Sequence, residues 1–363
     1  MIRIIHVAIC FVFFWSSGHL AVASPEIIEM LKFNADFRYR HEIIKEKSKP
    51  DRSRQRIRAR IGLSADPTEN VRFGFQLASG SDDPVSTNQT MGNGFSTKSI
   101  GIDLAYMSIH STDTTIAITM GKQKLPFYKP GKSELIWDSD LRPEGISYGW
   151  KPKFSWVDLR WNISGFLVEK RKTTADSWLL GTDLGLKIPF GDLGKHIGIG
   201  VGYFEFTHIK GQDPFFDLTD SFGNTTDGSG KYSNDYRLIE GTLEISFPVW
   251  ATPTSIFLDY VTNTAADKNN QGWLAGFSLG KVKEPGDVAF RYNYRRLEKD
   301  AVLGVFFDSD FNKGNTNGKG HEVSVAVGIL EKVKTSLTVF VNSTGLDKPN
   351  NYYRGQADLS LKF

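Results

Sequence analysis

Tyr353-Arg-Gly-Gln-Ala-Asp-Leu-Ser-Leu-Lys-Phe363 is the stretch on which the fold turns. Tyr353, Gly355, Ala357, Leu359, Leu361 and Phe363 form one alternate set, apolar or small throughout. Arg354, Gln356, Asp358, Ser360 and Lys362 form the other, polar throughout. Successive side chains of a strand point to opposite faces, so this segment has one oily face and one wet face. Such a strand fits the wall of a transmembrane β-barrel, with hydrocarbon outside and water within.

The same alternation recurs along the chain. It predicts strands at 31–42, 52–64, 70–79, 98–110, 115–123, 144–150, 154–167 and 177–189. It predicts others at 196–209, 233–247, 254–263, 271–283, 288–298, 320–331, 335–343 and 352–363. The total is sixteen, an even number, as a closed single-chain barrel with both ends on one side requires. In 196–209 the outward set is Ile197, Ile199, Val201 and Tyr203; in 320–331 it is Val323, Val325, Val327 and Ile329.

Connector length alternates too. The connectors 65–69, 111–114, 151–153, 190–195, 248–253, 284–287 and 332–334 are short. The other set includes the long segments 80–97, 124–143, 210–232 and 299–319. Short periplasmic turns and long extracellular loops are the pattern of an outer-membrane barrel, and a soluble sandwich has no reason to show it. Trp150, Trp156, Trp178, Trp273, Tyr292, Tyr294 and Phe363 gather towards segment ends, where amphipathic rings form girdles at the headgroup level.

Residues 1–23 read as a secretory leader. A basic start, the apolar run from Val7 to Trp15 and Ala21-Val22-Ala23 precede Ser24, and the apolar run is too short to span a bilayer. The barrel domain is then 24–363, free of cysteine because the one cysteine, Cys10, lies in the leader. A net charge of +3 does not suit a nucleic-acid partner. No helical span is expected, since no later stretch approaches eighteen apolar residues.

Arg52, Arg54, Arg56, Arg58 and Arg60 share one strand face, with Ile57, Ala59, Ile61 and Leu63 on the other. An arginine facing lipid at the bilayer centre costs about 2–4 kcal/mol, so the ladder faces the lumen. Neighbouring rungs lie about 7 Å apart and repel by ~0.6 kcal/mol in water, which a wet or counter-charged interior tolerates. Arg38, Arg40 and Arg72 share this inward parity, so Arg38, Arg40, Arg56, Arg58, Arg60 and Arg72 are expected to make a basic wall across three strands. Asp36, Asp103, Asp158, Asp183, Glu240, Glu244, Asp259 and Glu322 also point inward, which limits the expected anion preference to a modest one. Gly198, Gly200 and Gly202 form an inward stripe that accommodates either a close backbone or water.

With sixteen strands, alternating loops and a terminal phenylalanine, the mature chain resembles the bacterial outer-membrane porins of sixteen strands. Asp300-Ala-Val and Phe307-Asp-Ser-Asp-Phe311 resemble a segment of the putative porin family. The resemblance implies that the third long loop, 124–143, folds into the barrel and narrows it. Its charged residues Lys129, Lys132, Glu134, Asp138, Asp140, Arg142 and the following Glu144 would then form the constriction. The acids Glu134, Asp138, Asp140 and Glu144 would face the basic wall, and the transverse field would orient polar solutes. The resemblance also implies a homotrimer in the outer membrane, contacts with its lipids, and recognition of Phe363 by the assembly machinery.

The expected activity is diffusion of small hydrophilic solutes and ions, with no cofactor, no catalytic group and no chemistry. The alternatives are a substrate-specific channel for phosphate-like anions, a barrel enzyme, and a structural or adhesive barrel with a plugged lumen. Gly131-Lys132-Ser133 fails as a phosphate loop because Pro126 stands where its first glycine belongs. Asp308, Asp310, Asn312 and Gly314 have carboxylate spacing like a calcium loop, but Lys319 occupies the closing glutamate position. Asp308, Asp310 and Asn312 are thus a weak metal candidate. The mature histidines are scattered, and no G-x-S-x-G occurs.

Overall fold

Period-two alternation becomes sixteen wall strands in the computed structural model, which describes residues 30–363 except 48 and 193. The expected leader, 1–23, lies outside the described residues. The first eight strands are β1 Leu31–Glu46, β2 Arg52–Thr68, β3 Val71–Ser79, β4 Ile100–His110, β5 Ile116–Lys122, β6 Glu144–Trp150, β7 Asp158–Glu169 and β8 Ser177–Pro189. The second eight are β9 His196–Phe206, β10 Tyr236–Val249, β11 Thr252–Asn263, β12 Gln271–Leu279, β13 Val288–Leu297, β14 Gly318–Leu330, β15 Val333–Thr344 and β16 Asn350–Lys362.

Each strand pairs antiparallel with the next, and β16 returns to β1 with Asp36 opposite Lys362 and Glu46 opposite Tyr352. The sheet is therefore closed. Closure matters because an unpaired edge has no water to bond in hydrocarbon. The two-residue segment Gln89–Thr90 joins the sheet by pairing with Arg56 and Ile57 of β2.

One end carries tight turns, such as 250–251 and 331–332; the other carries the long connectors 80–99, 123–143, 207–235 and 298–317. The expected alternation thus holds at those four loops, whereas 47–51 and 345–349 on the same side are short. The expected strands 196–209 and 233–247 end at Phe206 and begin at Tyr236, because their outer residues belong to the fifth loop.

Parity places side chains as expected. Ile163, Val201, Leu258 and Leu337 point outward and are exposed, while Asn162, Asp183, Asp259 and Gln356 on the intervening parity are buried inside. We predict that Leu258→Arg, in the middle of an outward face, destabilises the barrel by about 2–4 kcal/mol. Urea titration of folding into lipid vesicles measures this, and an unchanged midpoint would mean that Leu258 does not meet hydrocarbon.

Candidate functional site

Four rungs of the arginine ladder, Arg54 to Arg60, each find a different partner, while Arg52 is exposed at the strand end. Arg54 donates to Glu42. Arg56 reaches Ser86 Oγ at 3.4 Å and the Asn88 carbonyl at 3.5 Å, both in the second loop. Arg58 binds Asp36 at 2.9 Å, and Arg60 binds Asp140 at 2.6 Å and Thr87 Oγ1 at 2.8 Å. On β1, Arg38 donates to Asn88 Oδ1 at 2.6 Å.

Two members of the expected wall lie elsewhere. Arg72 keeps the inward parity but stands beside the 69–70 turn, tied to Asp66 at 2.6 Å. Parity specifies a face and not a height, so Arg72 is remote from Asp140. Arg40 is buried rather than lumen-lining, bound by both carboxylate oxygens of Asp358 and by Asp310.

The third loop, 123–143, folds inward, and its acids divide. Asp140 alone faces the ladder, 2.6 Å from Arg60 and 3.8 Å from Arg58. Burial pushes the Asp140 carboxyl up, but Arg60 and Arg58 outweigh it and hold the group below its ordinary range. Glu134, expected opposite the arginines, instead accepts from the Ser139 amide at 2.6 Å and pairs with Lys129 of its own loop. Asp138 is buried and accepts from the Ser309 amide at 3.0 Å. Burial, then Glu134, Asp140 and Asp308, raise its carboxyl well above the usual range. Glu144 opens β6 on the outward parity, exposed and paired with Lys122 at 2.8 Å, so it does not belong to the constriction. Arg142 turns to Asp103 at 3.4 Å, Lys129 donates to the Trp137 carbonyl, and Lys132 stays exposed.

The seventh loop, 298–317, is clamped by the wall. Asp310 receives Arg40 at 3.1 Å and Arg354 at 2.6 Å, and Asp308 receives Arg295 at 2.6 Å. Burial opposes ionisation of Asp310, yet Arg354 and Arg40 drive its carboxyl far below the usual range. Burial pushes Asp308 up to about 7 against the pull of Arg295. Asn312 donates to the carbonyls of Asn315 and Thr316. The weak metal candidate is thereby overturned: both carboxylates are committed to guanidinium groups, and no metal-binding cluster exists among the described residues.

Sequence reasoning missed an apolar core inside the barrel. Phe127, Leu135, Ile136 and Trp137 of the third loop pack on Phe166, Phe204 and Phe257 of the wall, and Phe215 and Phe307 of the fifth and seventh loops join them. Phe127 and Phe204 have ring centroids 4.6 Å apart. A Cβ on Gly181 would collide with Phe127, and one on Gly131, at φ +52, with Phe257. The stripe at Gly198 is likewise approached by the loop, through Tyr128. The signal was present: Leu238-Ile239 and Ile256-Phe257-Leu258 break the alternation, which marks strand segments covered on both faces. The lumen is therefore half packed, and the ladder side remains polar. There a cavity of about 330 Å³ is lined by Asp36, Arg38, Arg58, Arg60, Lys334 and Lys362, among others.

Outside, the expected girdle residues point away from the lumen. Trp150 ends β6 opposite Trp161, with Trp156 and Phe363 near the same rim. Trp178 and Trp273 lie towards the loop end, and Tyr294 packs on Trp273 at 5.3 Å; Tyr292 sits lower on β13.

Comparison with known proteins agrees with this fold. The family described as "putative porin" matches residues 26–229 and 244–363. A high-pH structure of Pseudomonas putida OprB is similar over 93% of this chain and 96% of that one, at TM-score 0.63 and 10% identity. A loop L8 deletion mutant of OmpT, an outer membrane protein of Vibrio cholerae, is similar over 92% of this chain and all of that one, at TM-score 0.53 and 9% identity. No curated protein matches the chain.

The clamp on the seventh loop generates a test. Asp310→Asn removes the shared counter-charge of Arg40 and Arg354, each of which keeps a second partner. We expect a cost of about 2–3 kcal/mol, below that of a fully broken buried pair. Trypsin should then cut at Lys299 or Lys313 about 30–140-fold faster in the folded protein. An unchanged cleavage rate would show that the clamp does not hold the loop.

Proposed function

The chain belongs to the putative porin family, and we propose that it is an outer-membrane channel, not an enzyme, which passes small hydrophilic solutes and ions by diffusion with a modest preference for anions. The observation that carries this reading is Asp140 of the third loop standing opposite Arg58 and Arg60. Charges of opposite sign across a narrow passage favour solutes that exchange their water for these groups. The constriction is then Asp140 with Ser86, Thr87 and Asn88 of the second loop, set against Arg38, Arg56, Arg58 and Arg60. Residues 1–23 serve as the export leader, and the outward aromatic bands sit at the lipid headgroups.

We propose that the chain is a trimer, as the resemblance to sixteen-stranded porins implies, and the low wall at β5 and β6 supports a contact face there. β5 and β6 have 7 residues each. At about 3.3 Å per residue and a tilt near 40°, they rise only ~18 Å, short of the ~25 Å apolar band. Among the described residues, Ile100–Leu104 of β4 has no strand partner on its β5 side, since that pairing begins at Ala105. A neighbouring copy covers the low wall and the free edge, and the second loop, whose Phe95 is fully exposed, reaches across to it.

Two measurements check the reading. The triple variant R56E/R58E/R60E should shift the reversal potential in a salt gradient towards cation selectivity; an unchanged value would remove these residues from the pore. Deletion of 91–97 should convert a trimer to monomers in detergent by light scattering, and an intact trimer would dismiss the second loop as its latch.

A further inference from the structure

Four adjacent strands place a row of cations across the lumen on the side of the short turns. Lys334 is opposite Ser360, Ser360 is opposite Arg38, and Arg38 is opposite Arg58. No carboxylate lies in that row. The next row towards the turns holds Lys362, Asp36 and Arg60. The row towards the loops holds Ser336, Asp358 and Arg40. Strand spacing of about 4.8 Å makes the first row ~14 Å wide.

The carboxylates nearby are already engaged. Asp358 gives both oxygens to Arg40 and lies 3.9 Å from Arg38; Asp36 binds Arg58. Lys334 and Lys362 have no carboxylate within 4.0 Å among the described residues. Lys132 of the third loop adds a further positive charge within Coulombic reach of Lys334. Arg38, Arg58, Lys334 and Lys362 line the 330 Å³ cavity together with Asp36 and Asp358. Like charges on neighbouring strands repel, and the two lysines, without a carboxylate partner, leave this part of the wall an excess of positive charge that draws an anion to itself. At about 30 Å³ per water molecule, the cavity takes some ten waters or one small organic anion.

We propose that Lys334, Lys362, Arg38 and Arg58, with the hydroxyls of Ser336 and Ser360, form a binding site for a small dianion bearing carboxylate or phosphate groups. The two lysines supply point charges, and the guanidinium of Arg38 supplies a planar fork that matches either headgroup. A dianion bridges two of these cations at once, whereas chloride meets them one at a time. The site rests on the reading of the lumen as an anion-conducting path. It adds a step of saturable binding to that path.

The test uses the mature protein in planar bilayers, with succinate and hydrogen phosphate added in turn from the short-turn side. Each should reduce the chloride current saturably, and neutral glucose should not relieve the block. K334Q/K362Q should raise the half-blocking concentration about tenfold or more, and K334R/K362R should restore it. The single variant K334Q serves if the double variant fails to insert. Anion preference in the reversal potential without saturable block would overturn the site and leave the conduction reading intact. Block unchanged in K334Q/K362Q would overturn it as well. A channel blocked saturably by both dianions, yet without anion preference, would support the site and sink the conduction reading.

Discussion

A closed sheet forces each strand to satisfy two opposite solvents at successive residues, and the rest of the structure follows from that constraint. Hydrogen bonding from β1 to β16 leaves no open seam there, so the outward set can be wholly apolar. The inward set must then absorb the polar residues of all sixteen strands. Charges confined there cannot be diluted in bulk water, and Arg40, Arg54, Arg58, Arg60 and Arg354 need counter-charges close by. That requirement is met by Glu42, Asp36 and Asp358 from the wall itself, and by Asp140 and Asp310 from loops that fold inward.

The loops are held by two unlike forces on opposite sides of the lumen. On the β7 to β13 side, aromatic and aliphatic side chains of the third, fifth and seventh loops bury themselves against the wall. On the β16, β1 and β2 side, carboxylates bind arginines in a connected lattice from Arg54 through Glu42, Arg354 and Asp310 to Arg40. The apolar contact is strong but non-directional. The ionic lattice adds direction, since a guanidinium fork accepts a carboxylate in few orientations. Packing therefore brings the loops inside, and pairing sets where Asp140 stops.

The wall was legible in the sequence because its signal is local. Period-two alternation placed sixteen strands, and five arginines on one face could only look inward. The role of Asp140 was legible as one of several loop acids. The height of Arg72 and the burial of Arg40 were not, because parity carries no information about position along the barrel axis. Glu134 and Asp138 were misassigned because a loop's internal turns decide which of its acids points out, and no periodicity governs them. The inner core was missed because the broken alternation at Leu238-Ile239 and Ile256-Phe257-Leu258 marks a covered face without saying which loops cover it. Lys334 and Lys362 were passed over because these lysines of β15 and β16 become neighbours of Arg38 and Arg58 on β1 and β2 only when the sheet closes.

Thiol accessibility along β2 tests the account most directly. Single cysteines at 57, 58, 59 and 60, in a mature chain that otherwise has none, would be exposed to a charged water-soluble thiol reagent during current recording. The account predicts that 58 and 60 react and cut the current, while 57 and 59, facing hydrocarbon or a neighbouring copy, do not. Equal reaction at all four positions, or reaction at 57 and 59 alone, would contradict it.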